Sequence, residues 1–299
     1  MVATWAILSI LAALFWAISN NIDKYIFSKW IKHKHPYVPI LILGLTAPVP
    51  VVLIYLIRGF SSLSFSNIAI SLVAGAVYVI LGIFYVKAAQ IEEISRVVPL
   101  FYLAPAFTAM LAALFLGEIF SPIKYIGIFL LMAGAILISV RSLKELRPGK
   151  AFWFMLVAAL SWGISLVLTK YVLNFTPDYW TVFAYSRIGT MLGIIPLYFF
   201  FFKDLVKTVK EHGAKVVAGI STSEAISLAA FLFITIASVT GFVTFVNALA
   251  AVQPFFVLAI AVFLSIFFPK ILKEEISTKT IALKAIAIGL IFIGAVIVT

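Results

Sequence analysis

Apolar residues run along this chain in long blocks, separated by short polar joins rich in Lys and Arg. Ten blocks stand out: 2–22, 38–57, 68–89, 97–116, 123–140, 152–172, 179–202, 216–238, 242–268 and 281–298. Nearly all reach the ~17–25 residues that a helix needs to cross a hydrocarbon core, at about 1.5 Å of rise per residue. The separation of the third and fourth blocks rests on one polar interruption, Gln90-Ile91-Glu92-Glu93. The pattern predicts an all-α integral membrane protein with ten transmembrane helices.

The blocks are not independent. Ala12-Ala13-Leu14-Phe15-Trp16-Ala17-Ile18-Ser19 with Lys24-Tyr25 returns as Ala158-Ala159-Leu160-Ser161-Trp162-Gly163-Ile164-Ser165 with Lys170-Tyr171. Further on, Tyr102-Leu103-Ala104-Pro105-Ala106-Phe107 matches Ala251-Val252-Gln253-Pro254-Phe255-Phe256. Glu118-Ile119-Phe120-Ser121 matches Glu274-Glu275-Ile276-Ser277, and Gly134-Ala135-Ile136 matches Gly294-Ala295-Val296. The order is the same in both series, which predicts two repeats of five helices, 1–145 and 146–299, meeting at the polar join 141–150. An odd number of spans per repeat turns the second copy over, so the repeats are inverted, the usual construction of alternating-access carriers.

Composition agrees and narrows the class. The chain is 64% hydrophobic and 11% charged, with a mean hydropathy of +1.20; soluble domains hold about 25% charged residues. The net charge of +11 comes from the joins, where basic residues set orientation and meet lipid headgroups, so it does not indicate nucleic acid. Cysteine is absent, which removes disulfides, thiol nucleophiles and thiolate metal sites. His33, His35 and His212 lie in joins and read as solvated loop residues, so no metal is expected. No cleavable leader is evident, since the first block belongs to the repeat.

The basic residues are unevenly divided. Joins after odd-numbered spans hold Lys24, Lys29, Lys32, Lys34, Lys87, Arg96, Arg141, Lys144, Arg147, Lys150, Lys203, Lys207, Lys210, Lys215, Lys270, Lys273 and Lys279; even joins hold Arg58, Lys124 and Lys170. The positive-inside rule puts the odd joins in the cytoplasm and both termini outside a cell membrane.

The series Ala88-Ala89, Pro99, Pro105, Leu116-Gly117-Glu118-Ile119-Phe120-Ser121, Gly127 and Gly134-Ala135, preceded by Trp16-Ala17-Ile18-Ser19, resembles the EamA-type repeat of the drug/metabolite transporter superfamily. The similarity runs through both repeats. It implies a ten-helix secondary transporter, often an exporter of amino acids or related metabolites; some relatives carry sugar phosphates, nucleotide sugars or drugs. The second copy departs from the pattern, with Phe267-Phe268-Pro269-Lys270-Ile271-Leu272-Lys273 inserted before Glu274. Familiar members are drawn with cytoplasmic termini, opposite to the charge count.

Ionisable residues inside spans are functional candidates, because an unpaired charge in hydrocarbon is costly. Arg187 and Glu224 each lie about eight residues into a span, near the midplane of a ~30 Å core. Glu224 reads as a proton carrier or an amine partner and Arg187 as a carboxylate or phosphate partner; the competing reading is a buried ion pair fixing two helices. Ser221 and Ser227 flank Glu224 and suggest that this face meets a cavity. Trp16, Asn20 and Asp23 share a helical face, with Trp162 and Ser165 as the repeat counterparts of Trp16 and Ser19; a Trp there either holds a ring or cation or anchors at the interface. Asp23, next to Lys24, carries less weight. Pro105 and Pro254 are expected inside spans as kinks or gates that free the carbonyls of Phe101 and Ala250. Tyr78, Tyr85, Tyr102, Asn247 and Gln253 are candidates for the same space. Glu118 and Glu274 read as capping residues, and Gly127, Gly134, Gly289 and Gly294 as close helix-packing points.

No P-loop or catalytic constellation is visible, so neither a cofactor nor enzymatic activity is called for. The sequence points to a secondary active transporter moving a small metabolite by alternating access, an amino acid or related organic ion, with export as the direction. The expected partners are that small molecule, the bilayer and a coupled proton or other ion, with a homodimer left open. A lipid or drug flippase, a membrane enzyme or a receptor are the alternatives.

Overall fold

The computed structural model describes residues 3–26, 36–92, 94–140, 149–267 and 278–299. His33 and His35, residues 141–148 of the midpoint join and the Glu274–Ser277 motif lie outside them. Every element among the described residues is a helix: α1(Thr4–Ile26), α2(Val38–Thr46), α3(Pro48–Arg58), α4(Phe65–Ile91), α5(Ile94–Phe101), α6(Ala104–Leu116), α7(Pro122–Ser139), α8(Lys150–Leu173), α9(Tyr179–His212), α10(Ala214–Thr240), α11(Val243–Ala250), α12(Gln253–Phe267) and α13(Thr278–Val298). Among the described residues, nine helices or helix pairs are long and apolar enough to cross a membrane, and Leu283–Val298 forms a shorter apolar tenth. The outward surface carries large apolar side chains, such as Leu56, Ile57, Phe199 and Phe200, each more than 70% exposed. Such a surface suits lipid and not water.

Three expected spans are broken in two. α2 stops at Thr46, before Pro48 opens α3. α5 gives way to α6 at Tyr102-Leu103, and α11 to α12 at Ala251-Val252. The two latter breaks have the same hydrogen bonding. Tyr102 N donates to Pro99 O (3.2 Å) and Leu103 N to Leu100 O (3.2 Å); Ala251 N donates to Ala248 O (3.2 Å) and Val252 N to Leu249 O (3.1 Å). These are tight one-turn bonds that absorb carbonyls left over at a helix end. Pro105 and Pro254 are therefore not kinks inside continuous helices. Each is the second residue of a new helix, where a missing N–H costs nothing.

α9 runs ten residues beyond the apolar block that predicted it, through Lys203, Asp204, Lys207 and Lys210 to a stop at Gly213, whose φ is 70°. At about 1.5 Å per residue it is roughly 50 Å long, well over the ~30 Å core.

The heaviest helix contacts join α4 to α8, α7 to α13, α1 to α10 and α4 to α9. α4 and α9 meet backbone to backbone: a Cβ on Gly75 would lie 1.8 Å from Ser186 O, and one on Gly189 would lie 2.0 Å from Leu72 O. Gly134 and Gly294 likewise meet backbone between α7 and α13, while Gly127 leaves room for the Ile297 and Val298 side chains. Gly289 makes no such contact; nothing lies within 4 Å of a Cβ there.

The joins sort onto two faces, as alternating spans require. On one face Arg58 and Ser61, between α3 and α4, reach Asp178 before α9, and Lys124 Nζ donates to the last carbonyls of α13, Ile297 O (2.7 Å) and Val298 O (3.2 Å). Glu118, between α6 and α7, lies on this face with the α10–α11 join. The ends of α1, α4 and α9 lie opposite, where Ile26, Val38, Leu205 and Val216 share one apolar cluster.

Candidate functional site

The polar residues that interrupt the apolar blocks converge on a cavity of about 250 Å³ inside the bundle. α1 contributes Trp16, Ser19, Asn20 and Asp23 from successive turns of one face. α4 adds Tyr78, Leu81 and Tyr85, and α10 adds Glu224 and Ser227. The broken spans supply the remaining wall: Val98, Phe101, Tyr102 and Pro105 from one, Asn247, Ala250 and Gln253 from the other. Helix breaks expose polar backbone, which membrane proteins tolerate where it lines a cavity.

The repeated tryptophans meet here. Trp16 and Trp162 pack edge to face, with ring centroids 5.5 Å apart at 76°. The Trp162 indole donates to Asn247 Oδ1 (2.9 Å), and Asn247 Nδ2 donates to Thr108 Oγ1 (2.7 Å). Thr108 in turn donates to Ala104 O (3.1 Å), so the polar chain is anchored on the first turn of α6. On the opposite wall Ser19 Oγ lies 2.7 Å from Ser223 Oγ and 2.8 Å from Ser227 Oγ, tying α1 to α10 beside Glu224.

Four expected site residues stand outside this wall. Ser165 donates to Ala74 O (2.8 Å) and serves α4–α8 packing. Ser221 lies in a shallow outer depression with Phe15, Ala218 and Thr222. Pro254 is buried behind Gln253 at the start of α12. Arg187 is 1% exposed, with its guanidinium carbon 4.1 Å from the Phe231 ring centroid, 5.3 Å from that of Tyr78 and 5.4 Å from that of Phe183. Its Nη2 donates to Ser186 Oγ (3.2 Å), and its Nε has no partner. No ion pair joins Arg187 to Glu224 among the described residues, so the expected pairing of the two is not made.

Two wall residues were undervalued by sequence reasoning. Asp23 was discounted beside Lys24, although its spacing from Trp16 and Asn20 already put it on their face. Ser19, carried in the repeated motif, had the signal of being duplicated.

The face bearing the even joins is closed. Glu118 is 4% exposed, and its carboxylate accepts from Val243 N (2.9 Å), Thr244 N (3.0 Å) and Thr244 Oγ1 (2.7 Å). It thus caps α11, not the helix that follows it in sequence. Phe120, Phe242 and Phe245 stack beside it, and Lys170 Nζ donates to Ser238 O (2.7 Å) at the end of α10. The cavity extends from mid-bundle toward the other face, along the second halves of α1 and α4 and the middle of α10.

Residues 3–140 match the EamA-like transporter family. That match places the chain in the drug/metabolite transporter superfamily. It is a family of membrane transporters, and the many apolar spans make this member a multi-pass membrane protein. Among 29 solved chains that match, one described as the crystal structure of a protein superposes with a TM-score of 0.74 at 15% identity, over 100% of this chain and 97% of that one. At that identity the likeness speaks for the fold. No curated protein matches.

Proposed function

We propose that this superfamily member is a secondary active transporter that carries a small organic ion through the central cavity by alternating access. One observation carries the reading: a polar cavity lies between two broken spans of matching geometry and is clamped on one side by Glu118. Broken helices around a midplane site are how carriers bind substrate, with one repeat rocking against the other. The inverted five-helix repeats, 1–145 and 146–299, supply two gates of one design. With the basic joins assigned to the cytoplasm and the termini outside, the clamped face is external and the cavity serves the cytoplasmic side.

The test is exchange of labelled metabolites in proteoliposomes, with and without a pH gradient, run in both directions. Saturable exchange of at least one small organic ion is expected. Glu224→Gln should abolish it while thermal unfolding of the protein stays cooperative; full exchange in that variant contradicts the site.

A further inference from the structure

The charge of the cavity wall is one-sided. Two carboxylates, Asp23 and Glu224, line it, and no Lys or Arg does so among the described residues. Glu224 is half-buried, faces the cavity and receives no hydrogen bond from a described side chain or backbone group. A half-buried carboxylate at mid-span depth, facing a cavity without a protein partner, favours a counter-charge or a proton.

Among the described residues the one deeply buried guanidinium, Arg187, stands outside the wall. Its guanidinium is stacked among Phe231, Tyr78 and Phe183 and cannot reach a bound molecule. The wall itself, among the described residues, thus carries two carboxylates and no cation. A substrate carboxylate or phosphate would meet two like charges and no accessible donor of positive charge. The wall also carries six rings, those of Trp16, Trp162, Tyr78, Tyr85, Phe101 and Tyr102, beside neutral polar and aliphatic side chains. Indole and phenol faces attract a cation as well as an apolar body.

We infer that the cavity selects an organic cation, an amine with an aromatic or apolar body, and rejects its carboxylated analogues. The amine sits against Glu224 and Asp23, and its ring lies against the aromatic wall that the touching tryptophans help to form. This rests on the carrier reading above for its transport consequence, whereas equilibrium binding stands apart from it.

Three ring-matched probes test the inference on the purified full chain: tryptamine, tryptophan and indole-3-propionate. Calorimetry should find saturable binding of tryptamine alone. Glu224→Gln and, separately, Asp23→Asn should weaken that binding roughly tenfold or more, the scale of one lost charge-assisted contact. Thermal unfolding shows which variants are folded, and either folded one suffices. Equal or tighter binding of tryptophan or indole-3-propionate overturns the inference, as do unchanged affinity for tryptamine in a folded variant and no binding of tryptamine. Tryptamine binding without flux would keep the cation site and refute the carrier. Flux of an anion or zwitterion without tryptamine binding would do the reverse.

Discussion

Asn247 commits both ends of its amide to protein, accepting from the Trp162 indole and donating to Thr108. Replacing it with Ala strands a buried indole N–H and a buried hydroxyl lone pair. The expected cost is about 1–3 kcal/mol, read as a lower unfolding midpoint in detergent, and an unchanged midpoint would contradict the network. Asp178, in the join before α9, offers a pH readout. Burial alone would raise its carboxyl, but hydrogen bonds from Ser61 and Thr181 and the Arg58 guanidinium at 3.1 Å outweigh that and hold it below the ordinary Asp range. A lowered folded value means that the stabilisation is complete above the unfolded Asp value, about 4, and is lost as pH falls through the folded one. Asp178→Asn should flatten the acid limb of a thermal-stability profile; an acid limb identical to the parent's would refute the coupling. Polar residues at this scale were legible where they interrupted apolar blocks, as Glu224 and Asn247 do. Arg187 was only half legible. Its depth along α9 follows from counting, but the face it presents depends on α4 and α10, whose Tyr78 and Phe231 enclose it.

At the scale of elements, the spans were legible because lipid permits few alternatives to a long apolar helix. Their breaks were legible only as prolines. A proline marks lost hydrogen bonding but does not separate a kink from two helices, a choice settled here by the turns at Tyr102-Leu103 and Ala251-Val252. The Glu118 clamp was out of reach for a different reason: its partners, Val243 and Thr244, are more than a hundred residues away in sequence. Capping was foreseen, but not the helix that is capped. Glu118→Ala should release the first turn of α11, at a cost of about 1–2 kcal/mol. Amide exchange at Val243 and Thr244 should then accelerate roughly 5–30-fold. Unaltered exchange would mean that the carboxylate does not hold this face closed.

For the whole molecule, self-similarity was the most informative signal, since one offset aligned Trp16 with Trp162, and the two rings touch inside the bundle. The repeat also fixed where chemistry resides. Ser19 and Ser165 are counterparts, yet one faces the Ser223–Ser227 pair beside Glu224 and the other bonds α4 backbone. Shared sequence builds the frame, and the differences between its copies furnish the cavity. The chain has no cysteine, so a single Ser227→Cys substitution places one thiol in the cavity wall. The decisive measurement is sided modification of that thiol by a membrane-impermeant reagent in oriented proteoliposomes carrying out exchange. A carrier at this cavity predicts reaction from the basic-join face at rest, reaction from the opposite face only during turnover, and loss of flux on modification. Full flux after complete modification, or a thiol reached from neither face, would contradict it.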